Sequence, residues 1–195
     1  MRLTRESLEY LVEIIGVDTG RIEMELEKLY CFAGSNPSLE QVKAACQGNR
    51  EAHFFAVTQA ICERKREDAL LALRQTLDHT SSTTDSECIR LTRMTANQLR
   101  KMVRVMLAMH RLKCRNSHRI AEMWQRRSSQ PDDEFLGCDD LSAWNFRRFA
   151  ENAGRFSARE LLQTLDEIQR IDVLNVSSSI PSELLLLNLI LHTCK

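Results

Sequence analysis

Three places in the 195-residue chain hold residue types that can do chemistry. His110 and Cys114 are four apart, a spacing that puts an imidazole and a thiol on one helix face. A cysteine nucleophile also needs a base and a third, orienting group, and the sequence suggests neither. Asp132, Asp133 and Glu134 form an acidic run beside Pro131, which fits a solvated, mobile loop over Ser128–Asp140 better than a metal site. Trp144-Asn145-Phe146-Arg147-Arg148 can work on nucleic acid, the indole stacking on an unpaired base while the guanidinium groups hold phosphate. If Trp144 is instead a buried anchor packing with Phe149, the reading the pattern favours, the pair of arginines stands alone. Seven cysteines, an odd number, are scattered without a C-x-x-C pair or a histidine at zinc spacing. They read as small core residues of a reduced, cytosolic protein, and no cofactor or metal is expected. The six glycines contain no G-x-x-x-x-G-K-[ST] cradle, so ATP hydrolysis is not expected either.

Charge singles out one region. Between Cys88 and Arg127 eleven Arg or Lys (90, 93, 100, 101, 104, 111, 113, 115, 119, 126, 127) face one acid, Glu122, a local balance of +10. The whole chain balances 27 against 27, so the remainder carries −10. Such a helical hairpin can neutralise phosphates, with Arg100, Lys101 and Arg104 as the central candidates beside Trp144, Arg147 and Arg148. A solvated face, or one meeting an acidic partner, has the same composition.

The elements that position these residues are helical throughout. Hydrophobic residues make up 43% and there are only 6 Gly and 3 Pro, which disfavours strands joined by tight turns. Thr4 caps a first helix, with Leu3 and Leu8 as its staple and Leu8, Leu11, Val12 and Ile15 inward; Gly16 stops it. Asp18 caps a second, with Val17 and Ile22 as staple, Ile22, Leu26 and Leu29 as buried stripe, and Glu23 and Glu27 outward. Ser38-Leu39-Glu40-Gln41 is a capping box for a short third helix ending near Gly48. Gly48-Asn49-Arg50 is the expected domain boundary, giving a three-helix bundle over 1–49 and a larger helical domain over 50–195. The second opens on Phe54, Phe55, Val57 and Ile61, continues with a helix marked by Leu70, Leu73 and Leu77, a polar loop from Asp78 to Asp85, and a long helix over Ser86–Lys113. Ser117 caps a short helix with Ile120, Met123 and Trp124 inward, and helices over Leu141–Asn152, Ser157–Asp172 and Pro181–His192 complete it. The last is apolar on nearly every side, so it is either a central core helix or covered in part by a partner. Leu184, Leu187, Ile190 and Leu191 are its interface candidates. No apolar run approaches the ~20 residues that span a bilayer, so a soluble, cytoplasmic protein is expected.

One order of motifs runs through the whole chain: Leu3-Thr4-Arg5-Glu6-Ser7-Leu8-Glu9-Tyr10-Leu11, the Gly16–Asp18 turn, Glu25-Leu26-Glu27-Lys28-Leu29, the Phe54/Phe55 helix, the Leu-rich 69–77 helix, Gln98-Leu99-Arg100, Arg155-Phe156-Ser157 before Glu160-Leu161-Leu162, and a leucine-rich end closing on Cys194. This order resembles the C-terminal part of the delta subunit of bacterial DNA polymerase III, a clamp-loader subunit. It departs from that pattern at Val176, a turn after Asp172, where the family often has Lys. The resemblance implies a partial AAA+ lid over 1–49 and, over 50–195, the collar through which clamp-loader subunits assemble. It also implies a truncated chain with an added Met1, lacking the N-terminal domain that touches the sliding clamp. Partners implied are tau/gamma-type and delta-prime-type subunits, with primer-template DNA as a further contact. In ATP-using relatives the helix matching 19–29 carries a nucleotide-sensing arginine; here Gly20 stands there with Arg21 beside it. Arg21 is better placed for an i,i+4 pair with Glu25, worth only ~0.3 kcal/mol. The chain is therefore expected to be a non-catalytic assembly module for DNA replication, the alternative being a nucleic-acid-binding helical domain using 88–127 and Trp144.

Overall fold

The computed structural model describes residues 1–15, 19–46, 50–78, 84–126, 135 and 137–195, apart from the side chains at 13, 19, 21, 46, 50 and 51. Among them the regular structure is all α: α1 (Arg5–Ile15), α2 (Thr19–Ala33), α3 (Leu39–Cys46), α4 (Arg50–Cys62), α5 (Arg66–Asp78), α6 (Thr84–Arg111), α7 (Ser117–Arg126), α8 (Ala143–Ala153), α9 (Ala158–Ser177) and α10 (Ser182–Thr193). The chain divides into two compact units, Met1–Ala56 and Val57–Lys195, with the division inside α4. The expected Gly16 stop, Asp18 cap and Val17 staple lie outside the described residues. So do Gly48-Asn49 at the expected boundary and most of the 128–140 loop.

In the first unit α1, α2 and α3 pack against one another. The Thr4 hydroxyl accepts from the Ser7 amide at 3.2 Å, as an N-cap should. The inward stripe of α1 is turned from the expected one. Ser7, Tyr10, Leu11, Ile14 and Ile15 are buried, whereas Leu8 and Val12 are exposed, because the Tyr10 ring goes inward and meets Phe55 edge-on at 5.8 Å. On α2, Leu29 is buried while Ile22 and Leu26 are half-buried. The helix ends at Gly34, whose φ of +75° needs a residue without a Cβ. The expected capping box of α3 is formed: Ser38 Oγ accepts from the Gln41 amide at 3.3 Å, and Gln41 Oε1 accepts from the Ser38 amide at 2.9 Å.

The second unit is built around α6, which packs against α8, α9 and α10. Its 28 residues extend about 42 Å, uninterrupted by Gly or Pro. Cys88, Leu91, Thr95, Ala96, Leu99, Met102 and Val105 form the buried stripe at helical spacing. Two threonines on it are satisfied locally, Thr92 Oγ1 donating to Cys88 O at 2.8 Å and Thr95 Oγ1 to Leu91 O at 2.9 Å. α5 turns Ala69, Ala72, Leu73 and Thr76 inward, so that of the leucine series only Leu73 is fully buried. Small residues let its backbone approach α10, and Leu70 and Leu77 stay half-buried. α7 is capped by Asn116, not Ser117, since the Asn116 side-chain oxygen reaches the Arg119 amide at 3.0 Å. Ile120 and Trp124 point inward as expected.

Helix ends tie this unit together. Pro181 offers no side-chain cap to α10; Asp85 Oδ1, in the first turn of α6, accepts from the Ser182 amide at 3.0 Å. One carboxylate thus sits at two helix N-termini, where both dipoles favour negative charge. Arg64, in the α4–α5 turn, donates to Thr193 O at 3.2 Å and Arg155 O at 2.8 Å, pairs with Glu160 at 2.5 Å, and lies 4.5 Å from the Phe156 ring centre. Arg66 adds a bond to Cys194 O at 2.8 Å.

Candidate functional site

The solvent side of α6 carries Arg90, Arg93, Asn97, Arg100, Leu107 and Arg111, at offsets of three, four and seven, and all are exposed. No acid interrupts the helix between Cys88 and Arg111. Arg100 donates to Asn97 Oδ1 at 3.0 Å, and Lys101 is half-buried beside it. This is the positive strip that the sequence expects, and α7 extends the basic surface with Arg119 and Arg126, both exposed.

Arg104 does not join it as an open cation. Its guanidinium holds Asp140 by two bonds of 2.9 and 3.0 Å and also donates to Gly137 O. Burial alone raises the Asp140 carboxyl; the Arg104 hydrogen bonds and charge outweigh it and leave the group below its ordinary value. Gly137 is fixed there twice, by a φ of +78° and because a Cβ would come 3.3 Å from Arg104 Cδ. Arg104 therefore anchors the turn leading into α8.

The favoured buried reading of Trp144 is corrected. The buried tryptophan is Trp124, stacked on Phe146 at 4.8 Å with 7° between planes and edge-on to Phe135 at 5.4 Å. That cluster fills the inward side of α8, which leaves Trp144 half-buried, with the Arg148 guanidinium 4.7 Å from its ring centre and 5.0 Å from that of Phe149. Arg147 is exposed and paired with Glu151 at 3.0 Å.

The terminal helix separates its candidates. Leu184 and Leu191 are exposed at 56% and 47%, Leu187 is half-buried, and Ile190 is fully buried. Ile190 belongs to the core with Leu186 and Leu189, because α10 packs on α5, α6 and α9, and it is not available to a partner. An exposed apolar line that the sequence reading missed runs along α9, where Leu162, Val173 and Val176 share a face with Asp166 and Gln169. Its period of three and four was legible, but the polar residues within it hid it.

Among the described residues His110 and Cys114 do not form a nucleophile pair. α6 stops at Arg111, so Cys114 leaves the helix face of His110; its thiol is buried and lies 3.6 Å from Asn116 O. Burial pushes the Cys88 thiol up to about 12, with Glu183 and Asp85 adding to it, and burial pushes Cys194 up to about 11. Both are held as thiols. Cys31, expected in the core, is exposed. Among the described residues no group of three His, Cys, Asp or Glu can hold a metal ion, and no helix is long and apolar enough to cross a membrane. Asp132–Glu134 and the Arg21 side chain lie outside the described residues; Glu25 pairs with Lys28 at 2.6 Å.

No protein-family model and no curated protein matches the chain. Among solved structures, the fold is similar to that of the Bacillus subtilis DNA clamp loader delta protein (YqeN), with a TM-score of 0.60 and 19% sequence identity. The likeness covers 98% of this chain and 51% of that one, so the chain spans about half of that protein's length. Over nearly all its residues the chain thus shares the all-helical fold of part of a clamp-loader delta protein.

Proposed function

We propose that the chain is a non-catalytic assembly module of a clamp-loader delta-type subunit, with 1–49 as a partial lid and 50–195 as the collar that holds the loader together during DNA replication. The observation that carries this reading is the fold likeness over 98% of the chain to a clamp-loader delta protein, in agreement with the motif order of the sequence. Two features support it. Leu184 and Leu191 on α10, and Leu162, Val173 and Val176 on α9, are apolar and exposed, as an interface requires before its partner arrives. The Cys88 and Cys194 thiols are buried and held protonated, which fits a scaffold. The partners are tau/gamma-type and delta-prime-type subunits in a cytoplasmic replisome; the sliding clamp is reached only through a further N-terminal domain.

The test is light scattering after size exclusion, of the chain alone and mixed with collar fragments of the other loader subunits, at low and high salt. A stable mixed complex at both salts supports assembly; no association at any salt refutes it.

The basic strip of α6 favours a second reading, contact with primer-template DNA through Arg100, Lys101, Arg147, Arg148 and the exposed part of Trp144. Each phosphate neutralised contributes about 0.7–0.9 to the slope of log affinity against log salt. Replacing Arg93 and Arg100 by Glu lowers that slope by about two if they touch phosphate. An unchanged slope removes them from the contact.

A further inference from the structure

α4 and α6 end in the same way, yet only one ending is explained by the fold. At α4, Arg64 has φ +59°, its amide bonds Ile61 O at 3.0 Å, and the Lys65 amide bonds Ala60 O at 2.9 Å. At α6, Lys113 has φ +49°, its amide bonds His110 O at 3.1 Å, and the Cys114 amide bonds Met109 O at 2.9 Å. Both are left-handed helix stops, a conformation that glycine adopts freely and side-chain-bearing residues do not. The Arg64 side chain offsets the strain by binding two carbonyls, a carboxylate and a ring. Lys113 is exposed, and its ammonium contacts no acceptor among the described residues.

What Lys113 does is border a groove of about 690 Å³ between the end of α6 and the α8–α9 turn. Met106, Met109 and Phe156 form its apolar side; His110, Lys113 and Arg115 are on its rim, and among the described residues no carboxylate lines it. A volume of this size accepts a small ligand or a short stretch of peptide. Two cations and an imidazole around methionines match a ligand carrying carboxylates around an apolar side chain, since thioethers adapt to irregular apolar shapes. A nucleic-acid base fits less well. Phe156 is only 7% exposed and the Arg64 guanidinium occupies one of its faces, so no aromatic platform is open for stacking.

We propose that this groove binds an acidic peptide segment bearing a central apolar side chain, with Lys113 and Arg115 pairing its carboxylates and Met106 and Met109 receiving the apolar group. The proposal is independent of the assembly reading.

The test is fluorescence anisotropy of the full chain with a fluorescein-labelled hexapeptide that has two acids on each side of a leucine–phenylalanine pair. Controls are the same peptide with every acid amidated and a six-nucleotide oligothymidylate as competitor. The expected result is saturable binding to the acidic peptide, lost on amidation, and weakened about tenfold in both Lys113→Gly and Arg115→Ala, since each removes a charged partner. Lys113→Gly also relieves the left-handed strain, so its thermal midpoint rises while binding falls, a combination that a merely structural lysine does not produce. The proposal is overturned by no anisotropy change at millimolar protein, by equal binding of the amidated peptide, by undiminished binding in Lys113→Gly, or by oligothymidylate displacing the peptide at lower concentration than the unlabelled peptide does. That last outcome assigns the groove to nucleic acid.

Discussion

Removing the Arg64 side chain should expose how much of the second unit rests on one turn. Its guanidinium donates to Thr193 O at 3.2 Å and Arg155 O at 2.8 Å, joining the end of α10 and the α8–α9 turn to the end of α4. A hydrogen bond from a charged donor contributes about 1.5 kcal/mol net, and the contact over the Phe156 ring about 0.5 kcal/mol at a site that is 20% exposed. The pairing with Glu160 is left out because water screens it. Arg64→Ala therefore costs about 3.5 kcal/mol. Arg64→Gly loses the same contacts but relieves the φ of +59°, worth about 1 kcal/mol, and so costs about 2.5 kcal/mol. With a slope near 2 kcal/mol per molar urea, the midpoints fall by about 1.8 M for Arg64→Ala and about 1.3 M for Arg64→Gly. Urea titration followed by far-ultraviolet circular dichroism measures both. An alanine variant within about 0.5 kcal/mol of the parent, or a glycine variant no more stable than the alanine one, would refute the reasoning, the first by denying the network and the second by denying the strain.

Glu160 supplies a pH signature. The Ser157 backbone amide, the Arg64 side chain and the Ser157 hydroxyl hold its carboxyl at about 2, below the ordinary 4.5. Because the folded value is the lower, its stabilisation is complete above the ordinary value and is lost as pH falls through the folded one. Glu160→Gln, which can still form the capping box, should be less stable than the parent at pH 6, with the gap mostly gone near pH 2 in paired thermal melts; a gap undiminished between pH 6 and pH 2 contradicts the assignment. Asp85→Ala removes a cap from α10 and a favourable charge from the first turn of α6, so it should cost about 1–2 kcal/mol in the same urea assay. Leu184→Asp with Leu191→Asp changes two exposed residues of α10. It should leave the thermal midpoint within a degree or two while abolishing co-elution with loader collar fragments, and retained co-elution moves the interface elsewhere.

What was legible in the sequence follows the range of the forces involved. Caps act within four residues, so Thr4 and the Ser38/Gln41 box could be read directly and are formed. α6 was legible as one long helix for a related reason, since no Gly or Pro breaks the run from Ser86 to Lys113, although its buried face was not assigned. Short helices leave that face ambiguous. Tyr10 turned α1 because Phe55, forty-five positions later, offered its ring, and Ala69 and Ala72 share the buried face of α5 with Leu73, in place of Leu70 and Leu77, because α10 lies against them. Two of the site residues show the same limit. Arg104 looked like its basic neighbours until the turn before α8 brought Asp140 to it, and on α8 it is Phe146, stacked on Trp124, that goes inward while Trp144 is left half-buried.

The two left-handed stops extend this argument to function. A sequence shows that Arg64 and Lys113 are basic, but not that each stands where glycine would be more comfortable, nor that one side chain is consumed by the fold and the other is not. A strain of about 1 kcal/mol at a surface position motivates a search for what the side chain contributes there. For Arg64 that contribution is visible in the bonds it makes to Thr193 and Arg155. For Lys113 the proposed contribution is to a ligand, and a groove with cations on its rim and methionines on its wall sets the charge and the polarity that such a ligand would need.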